Sequence, residues 1–113
     1  MPFIKVITNQ NLGTDTQTEI RKSLGQAIRL IPGKSETWLM VEIEEAKNLS
    51  FQGTGDPCAM VEIKLYGRSD KKNYDNLTAK VTSIVSKAAD VDEDRVYVEY
   101  EETPYWGMGG YNF

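Results

Sequence analysis

The chain has 113 residues, a formal net charge of −4, one cysteine and no histidine, and it is long enough for a single domain with its own core. Its acidic balance argues against a nucleic-acid partner, because phosphate binding requires a concentrated basic face. One cysteine excludes an intramolecular disulfide, and the lack of histidine excludes Ser–His–Asp and Cys–His catalysis and most zinc sites.

Composition also bounds the class of protein. Apolar residues make up 40% of the chain and charged residues 27%, close to globular averages, so we predict an ordered protein. No apolar run approaches the roughly 20 residues of a membrane span. The start lacks the charged region, apolar stretch and cleavage site of a signal peptide. We therefore predict no membrane partner and residence in the cytoplasm.

Pro2 is the first residue with candidate chemistry. An initiator Met before a small residue is normally removed, which would leave the secondary amine of Pro2 as the N-terminus. The pKa of an α-amino group is about 7.7 to 8.0 in model peptides, and burial lowers it by disfavouring the charged form. Pro2 is therefore a candidate base, although proline at this position is also common where it has no chemical role.

Two segments of similar pattern recur with a constant offset of 57 residues. Alternating strands are predicted at 3–7 and 41–45 in the first segment, and at 60–64 and 98–102 in the second. A helix with one apolar face lies between the strands of each segment. The face residues are Ile20, Leu24, Ala27, Ile28 and Ile31 in the first helix and Leu77, Val81, Ile84, Val85 and Ala88 in the second.

Residues that flank the helices predict where each one begins and ends. Thr14–Asp15 and Ser69–Asp70 have side chains that accept backbone N–H bonds, so they are candidate N-caps. Gly33 and Asp90 are candidate stops.

The remaining segments are a linker and a tail. The linker from about Lys47 to Pro57 is rich in glycine and predicts a loop that could include one short edge strand at 49–52. The last residues, 103–113, combine glycines with several aromatic side chains. We expect this tail to pack on the protein rather than to float freely.

A βαβ unit that occurs twice predicts an α/β fold with a tandem βαβ repeat. Its units, about 2–46 and 58–102, would form a four-stranded mixed sheet with both helices on one face. We expect one domain, 1–113, that ends in the aromatic tail 103–113.

The helices can cover only one face of this sheet, and the uncovered face predicts a closed homo-oligomer. The alternative is a monomer whose open face is kept polar by Glu42, Glu62 and Glu99.

Four motifs together carry a resemblance to a known family. They are the start Pro2–Asn9, the pair Gly33–Lys34, the block Gly53–Ala59 and the strand Asp94–Tyr100. In this order and spacing they resemble the macrophage migration inhibitory factor family of the tautomerase superfamily over essentially the whole chain. The resemblance implies the tandem βαβ fold assembled as a homotrimer, with active sites at the subunit interfaces and neither a cofactor nor a metal.

The resemblance further implies a keto–enol tautomerase for phenylpyruvate-like α-keto acids, with mature Pro2 as the catalytic base. Lys34 matches the family's active-site lysine, which would hold the substrate carboxylate and lower the proton affinity of the proline. A helix-end lysine favoured by the helix dipole is the alternative. Tyr66 matches a residue whose backbone N–H contacts the substrate. Tyr97 matches a tyrosine supplied by the neighbouring subunit, and a sheet-core role is compatible with it.

Other positions match the family in part. Trp38 corresponds to an aromatic position at the pocket rim, and Phe113 to the aromatic residue near the C-terminus. Glu99 stands where mammalian members have an asparagine that hydrogen-bonds the substrate, so its carboxylate would oppose an anionic substrate. Either Trp106 or Met108 takes the place of a pocket tryptophan, and the sequence leaves both open.

Two functional alternatives remain from the sequence. The first is a cytokine-like protein that binds an unknown receptor, with a vestigial tautomerase pocket and secretion that needs no signal peptide. The second is a purely structural βαβ protein. The family's two-cysteine motif is reduced to Cys58 with Val61 in the second place, so we expect no thiol oxidoreductase activity of that type.

Overall fold

The computed structural model describes all 113 residues as two βαβ units followed by a short hairpin. Its elements in chain order are β1 (Pro2–Thr8), α1 (Thr14–Ala27), β2 (Met40–Glu44), β3 (Ala59–Tyr66), α2 (Lys71–Ala89), β4 (Val96–Thr103), β5 (Gly107–Met108) and β6 (Tyr111–Asn112). The predicted α/β repeat is confirmed, because β1 and β3, and likewise α1 and α2, start 57 residues apart, at 2 and 59 and at 14 and 71.

The four long strands form one mixed sheet in the order β2–β1–β3–β4. Strands β1 and β2 are parallel, as are β3 and β4, and the antiparallel β1–β3 pair joins the two units at the centre. Across this central pair Ile4 lies opposite Ile63, and Val6 lies opposite Val61. The two units therefore share one sheet and one core.

The core lies between the sheet and the two helices. Every second residue of β1 and β3 is buried, including Ile4, Val6 and Ile63, because successive side chains of a strand point to opposite faces. The predicted apolar helix faces are confirmed, with Ile84 and Ala88 half-buried at the margin. The buried helix residues are Ile20, Leu24, Gly25 and Ala27 from α1 and Leu77, Val81, Val85 and Ala89 from α2.

The helix ends correct part of the sequence analysis. Gly13 is the N-cap of α1, Asp70 is the N-cap of α2, and neither helix start has a side-chain capping hydrogen bond. The predicted capping bonds of Thr14–Asp15 and Ser69–Asp70 are therefore wrong. Asp15 lies in the first turn of α1, where a carboxylate is favoured by the helix dipole. Asp90 ends α2 in the left-handed conformation at φ 56°, as predicted.

The first helix ends earlier than its apolar pattern suggests. It stops at Ala27 and continues as a single 3₁₀ turn, Ile28–Leu30, so Gly33 is not its immediate stop. Gly33 has φ 83° and reverses the chain just before Lys34. Positive φ of this size is accessible to glycine at low cost.

The linker and the tail take different forms. The edge strand expected at 49–52 is absent, and Phe51 and Thr54 form only an isolated bridge across a tight turn. The backbone of the linker is bound instead by side chains from outside it, those of Asn9 and Arg95. The tail folds into the antiparallel β5–β6 hairpin, which turns at Gly109–Gly110 with positive φ at both residues. It is thus ordered, as expected.

The sheet face opposite the helices, which we call the open face, carries a mixture of charged and apolar side chains. Met40 and Tyr97 on this face are 67% and 61% exposed. Neither helix combines the length and apolar composition that crossing a membrane requires. The residues of the open face are Phe3, Lys5 and Ile7 of β1, Met40, Glu42 and Glu44 of β2, Met60, Glu62, Lys64 and Tyr66 of β3, and Tyr97, Glu99, Glu101 and Thr103 of β4.

Truncation of Leu77 should destabilise the fold strongly, because this side chain of α2 is fully buried in the core. Leu77→Ala is expected to lower the free energy of unfolding by about 2–5 kcal/mol. Leu30→Ala is the matched control, since Leu30 is 40% exposed and should lose about 1 kcal/mol or less. Urea unfolding at one protein concentration measures both losses. Equal losses would contradict the position of the core.

Candidate active site

The N-terminus lies at the edge of the sheet where β1 begins and β3 ends. Pro2 is buried and pairs with Leu65, and Leu65 pairs in turn with Glu102 of β4. The backbone N–H of Tyr66 donates to the carbonyl oxygen of Met1 at 3.1 Å. Proline is suited to the first position of a strand because it has no N–H to contribute to the ladder. The central strand pair therefore fixes the chain start in place.

Lys34 reaches the same edge from the loop after α1. Its Nζ donates to the carbonyl oxygen of Tyr66 at 2.8 Å and lies 5.9 Å from the centroid of the Tyr66 ring. The loop approaches α1 closely at Gly25, where an added Cβ would lie 1.7 Å from the Glu36 carboxylate. The absence of a side chain at position 25 thus allows the segment that carries Lys34 to pack on the helix.

The terminal amine is electrostatically perturbed at this edge. The pKa of the Met1 amino group is lowered from 8.0 to about 6, first by burial and then by the positive charge and hydrogen bonding of Lys34. Burial and a neighbouring cation both disfavour the charged form of an amine. An amine at this position is therefore mostly neutral at pH 7, which is the state that a general base requires.

Aromatic side chains border the edge. The rings of Tyr66 and Phe113 have centroids 6.0 Å apart, and the N–H of Phe113 donates to the carbonyl oxygen of Trp106 at 2.9 Å. Trp106 is half-buried, whereas Met108 is exposed and pairs with Tyr111 inside the hairpin. The hairpin thus brings the C-terminal ring to the N-terminus.

Trp38 lies on the same loop as Lys34, within the 3₁₀ turn Glu36–Trp38, and its ring is half exposed. Both residues follow the glycine turn that leaves α1. An exposed aromatic side chain in this loop is available to a ligand or a partner chain.

Tyr97 and Glu99 lie away from Pro2 within one chain. Tyr97 is paired with Met60, which is itself paired with Ile7 near the other end of β1. Five strand residues separate Tyr97 from the level of Pro2, or roughly 16 Å along the sheet. The structure therefore brings together Pro2, Lys34, Tyr66 and Phe113, and leaves Tyr97 and Glu99 at a distance.

Glu99 stands among like charges on the open face. It lies opposite Glu62 of β3, an arrangement that is unfavourable between neighbouring strands. The ion pairs of this face join Lys5 to Glu44 and Lys64 to Glu101, each at 3.7 Å. Glu99 is left without a cation, so its charge is free to act on an approaching ligand.

Arg95 and Phe51 form a contact that the sequence analysis missed. The Arg95 guanidinium lies 5.2 Å from the centroid of the Phe51 ring, and the Phe51 ring packs edge-on against Tyr97. Arg95 ends the 3₁₀ turn Glu93–Arg95 just before β4, and Tyr97 is the second residue of that strand, so the only sequence signal was the closeness of the two residues along the chain. The side chains form no group of three or more His, Cys, Asp or Glu that could hold a metal ion.

Comparison with known proteins places the chain in a family. The family described as macrophage migration inhibitory factor matches residues 1–112. Rat macrophage migration inhibitory factor is 26% identical over 103 residues, which covers 88% of this chain and 86% of the rat protein.

Two solved structures share the fold. The chain is similar to MIF2 of Leishmania major, with a TM-score of 0.93, 26% identity and coverage of 100% and 97% of the two chains. A fused 4-OT described as a wild-type asymmetric trimer has a TM-score of 0.85 at 17% identity, with coverage of 97% and 94%. Because the family match spans nearly the whole sequence, this protein belongs to the macrophage migration inhibitory factor family.

Proposed function

We propose that this protein is a cofactor-independent keto–enol tautomerase for phenylpyruvate-like α-keto acids, with Pro2 as the general base after removal of Met1. The observation that carries the proposal is the amine at the sheet edge, whose pKa is lowered to about 6 by burial and by Lys34. That amine belongs to Met1, and we expect burial and the charge of Lys34 to act in the same direction on the Pro2 nitrogen once it becomes the terminus. A neutral secondary amine then stands beside a cation.

Removal of Met1 would also free a hydrogen-bond donor. The Tyr66 N–H that now donates to Met1 loses this acceptor when the residue is cleaved. Lys34, which is 2.8 Å from the carbonyl oxygen of Tyr66, lies beside the freed N–H. An ammonium and a backbone N–H at one point form a suitable anchor for a carboxylate.

The proposed reaction moves one proton and needs no redox partner. The neutral Pro2 nitrogen removes a proton from the carbon next to the keto group, and the electron pair of that C–H bond forms the enolate. Lys34 and the Tyr66 N–H stabilise the enolate charge. Pro2 then delivers the proton to the enolate oxygen, and the substrate leaves as its enol. Ketonisation follows the same path in reverse, with the proton taken from the enol oxygen and delivered to carbon. The Tyr66 and Phe113 rings, with Trp38 and either Trp106 or Met108, would surround the aromatic part of the substrate.

The proposal includes a homotrimer. The open face exposes apolar side chains, among them Met40 and Tyr97, which a single chain leaves uncovered. Tyr97 and Glu99 lie too far from the Pro2 of their own chain, so they would join the Pro2 of a neighbouring copy. The fused 4-OT of the same fold, which is described as a trimer, supports this assembly.

A second candidate is protein binding, with the tautomerase pocket vestigial. The exposed aromatic surface of the terminal hairpin favours it, since Tyr111 is 82% exposed and Tyr105 is 76% exposed. The two candidates differ in the N-terminal amine of the mature protein. A pKa well below 8 supports a catalytic base, whereas an ordinary pKa favours the binding function.

Changing the N-terminus should abolish most of the activity. Pro2→Gly, or one residue inserted ahead of Pro2, is expected to slow ketonisation of phenylpyruvate by about 10²- to 10⁴-fold, the range for loss of a general base. Absorbance of the enol follows the rate, and sedimentation checks that the oligomer persists. Rates equal to those of the unmodified protein would rule out Pro2 as the base.

Removal of the Lys34 charge should shift the pH profile. Burial first and Lys34 second lower the pKa of the terminal amine of Met1, so Lys34→Met is expected to raise the pKa of the mature amine and move the acid limb of kcat/KM to higher pH. KM for phenylpyruvate should rise as well, because the carboxylate loses its cation. Lys80→Met, on the helix surface, is the control and should leave the limb in place. If the acid limb of kcat/KM stays in place in Lys34→Met, Lys34 does not lower the pKa of the amine.

Neutralising Glu99 should favour anionic substrates. Glu99→Gln keeps the shape of the side chain and is expected to lower KM for phenylpyruvate by roughly fivefold, the Coulomb effect of about 1 kcal/mol between close charges in water. The methyl ester of phenylpyruvate, which lacks the charge, should show no change. Glu19→Gln removes the same charge from the outer surface of α1 and serves as control. Equal effects on acid and ester would place Glu99 outside the pocket.

A further inference from the structure

We propose that Arg95 and Phe51 are positioning residues that hold the Tyr97 ring in place for the substrate pocket of the neighbouring subunit. Through this ring they would set the preference of the site for aromatic over aliphatic keto acids. The inference rests on the proposed function, and it assigns a role to the loop 47–57, which does not reach the Pro2 edge of its own chain.

Arg95 binds this loop at several points. Its Nε donates to the carbonyl oxygen of Pro57 at 2.8 Å, and its terminal nitrogen lies 3.2 Å from the carbonyl oxygens of Phe51 and Asp56 and from the Thr54 hydroxyl. The planar guanidinium also faces the Phe51 ring, with 5.2 Å to its centroid. A lysine offers no planar fork, so it could not make all of these contacts together.

The loop backbone gives Phe51 a defined position. Phe51 and Thr54 exchange two backbone hydrogen bonds of 3.0 Å, and Gln52 and Gly53 between them have φ 53° and 77°, as in a tight two-residue turn. Asn9 holds the rest of the loop: its Nδ2 lies within 3.1 Å of the carbonyl oxygens of residues 49, 55 and 56. The Phe51 ring is thus anchored from both sides of the loop.

Phe51 in turn packs on Tyr97. The ring centroids are 4.9 Å apart and the ring planes meet at 78°, an edge-to-face arrangement that is favoured between aromatic rings. Tyr97 nevertheless remains 61% exposed, so most of its surface is free to meet a partner chain or a substrate.

A cavity of about 170 Å³ beside the two rings leaves room for movement. It is lined by Leu49, Phe51, Met60, Arg95 and Tyr97, among others. Because this space is open, Tyr97 is not wedged in a close-packed core, and the contact with Phe51 restrains its rotation. Loss of the Phe51 ring would release Tyr97 rather than collapse the sheet.

The test compares an aromatic with an aliphatic keto acid, phenylpyruvate and 4-methyl-2-oxopentanoate. In Phe51→Leu the ratio of kcat/KM for the aromatic to the aliphatic acid is expected to fall about fivefold, within the range of an aromatic ring contact. The change should appear in KM, with kcat and the acid limb of the pH profile unmoved. Phe51→Tyr, which keeps the ring, should restore the ratio.

Two further variants distinguish a change in the position of the Tyr97 ring from a general loosening of the structure around it. Leu49→Ala truncates an apolar side chain in the same cavity without touching the ring contact, and it should leave the ratio unchanged. If Phe51→Leu fails to fold, Arg95→Lys provides the same test, since it keeps the charge and loses the fork. The NMR resonances of the Tyr97 ring, which the Phe51 ring current shifts, should move in both variants.

The outcomes distinguish the inference from the proposed function. An unmodified protein that converts neither acid overturns the proposed function, and the inference with it. An active protein whose ratio is the same in Phe51→Leu, or falls equally in Leu49→Ala, overturns the inference alone.

Discussion

The antiparallel pairing of β1 with β3 is the interaction on which the rest of the structure depends. It joins two βαβ units, each of which has an apolar helix face that its own two strands cannot fully cover. The pairing sets Ile4 against Ile63 and Val6 against Val61, which are all fully buried. The same ladder ends at Pro2 and Leu65, so the contacts that build the core also fix the position of the terminal amine. Both the stability of the core and the position of the proposed base therefore depend on the β1–β3 pair.

Because successive side chains of a strand point to opposite sides, the two faces of the sheet differ in composition. Positions that point to the helices are mostly apolar, with Thr8 and Glu102 as exceptions, whereas the open face combines charges with exposed side chains such as Met40 and Tyr97. Its two ion pairs are partly exposed and contribute little to stability by themselves. The face therefore adds little to the stability of the single chain, and its exposed apolar side chains are those that the proposed trimer would cover. The proposed division of the site between copies follows from this arrangement, because each chain has its terminal amine at one end of the sheet and the Tyr97 ring, in contact with Phe51, at the other.

Much of the fold could be predicted because its signals are local. The 57-residue offset and the apolar faces from Ile20 and Leu77 depend on spacing alone, and the structure confirms them. Asp70 and Asp90 take their predicted positions at the two ends of α2, but the predicted side-chain capping bonds are absent at both helix starts, because a capping side chain has alternatives that composition does not rank. The prediction of a strand at 49–52 was wrong because the backbone of this segment is bound by Asn9 and Arg95, which are about 40 residues away in sequence. The separation of Tyr97 from Pro2 depends on strand register, which no single segment specifies, and it was expected only from the family resemblance, in which this tyrosine comes from the neighbouring subunit.

In the proposed trimer, the pKa of the amine and the orientation of Tyr97 depend on residues of different subunits. The pKa of the amine depends on burial and on Lys34, which belong to the chain that carries the base. The orientation of Tyr97 depends on Phe51 and Arg95, which in the proposed trimer belong to the neighbour. No hydrogen bond or ion pair joins Lys34 to the loop 47–57, so substitutions in the two groups should act independently, as expected for distant sites. Glu99, two residues from Tyr97 and on the same face, belongs to the second group. In the proposed enzyme, base strength and substrate choice would therefore be set by separate parts of the sequence, and a change of substrate need not alter the terminal amine.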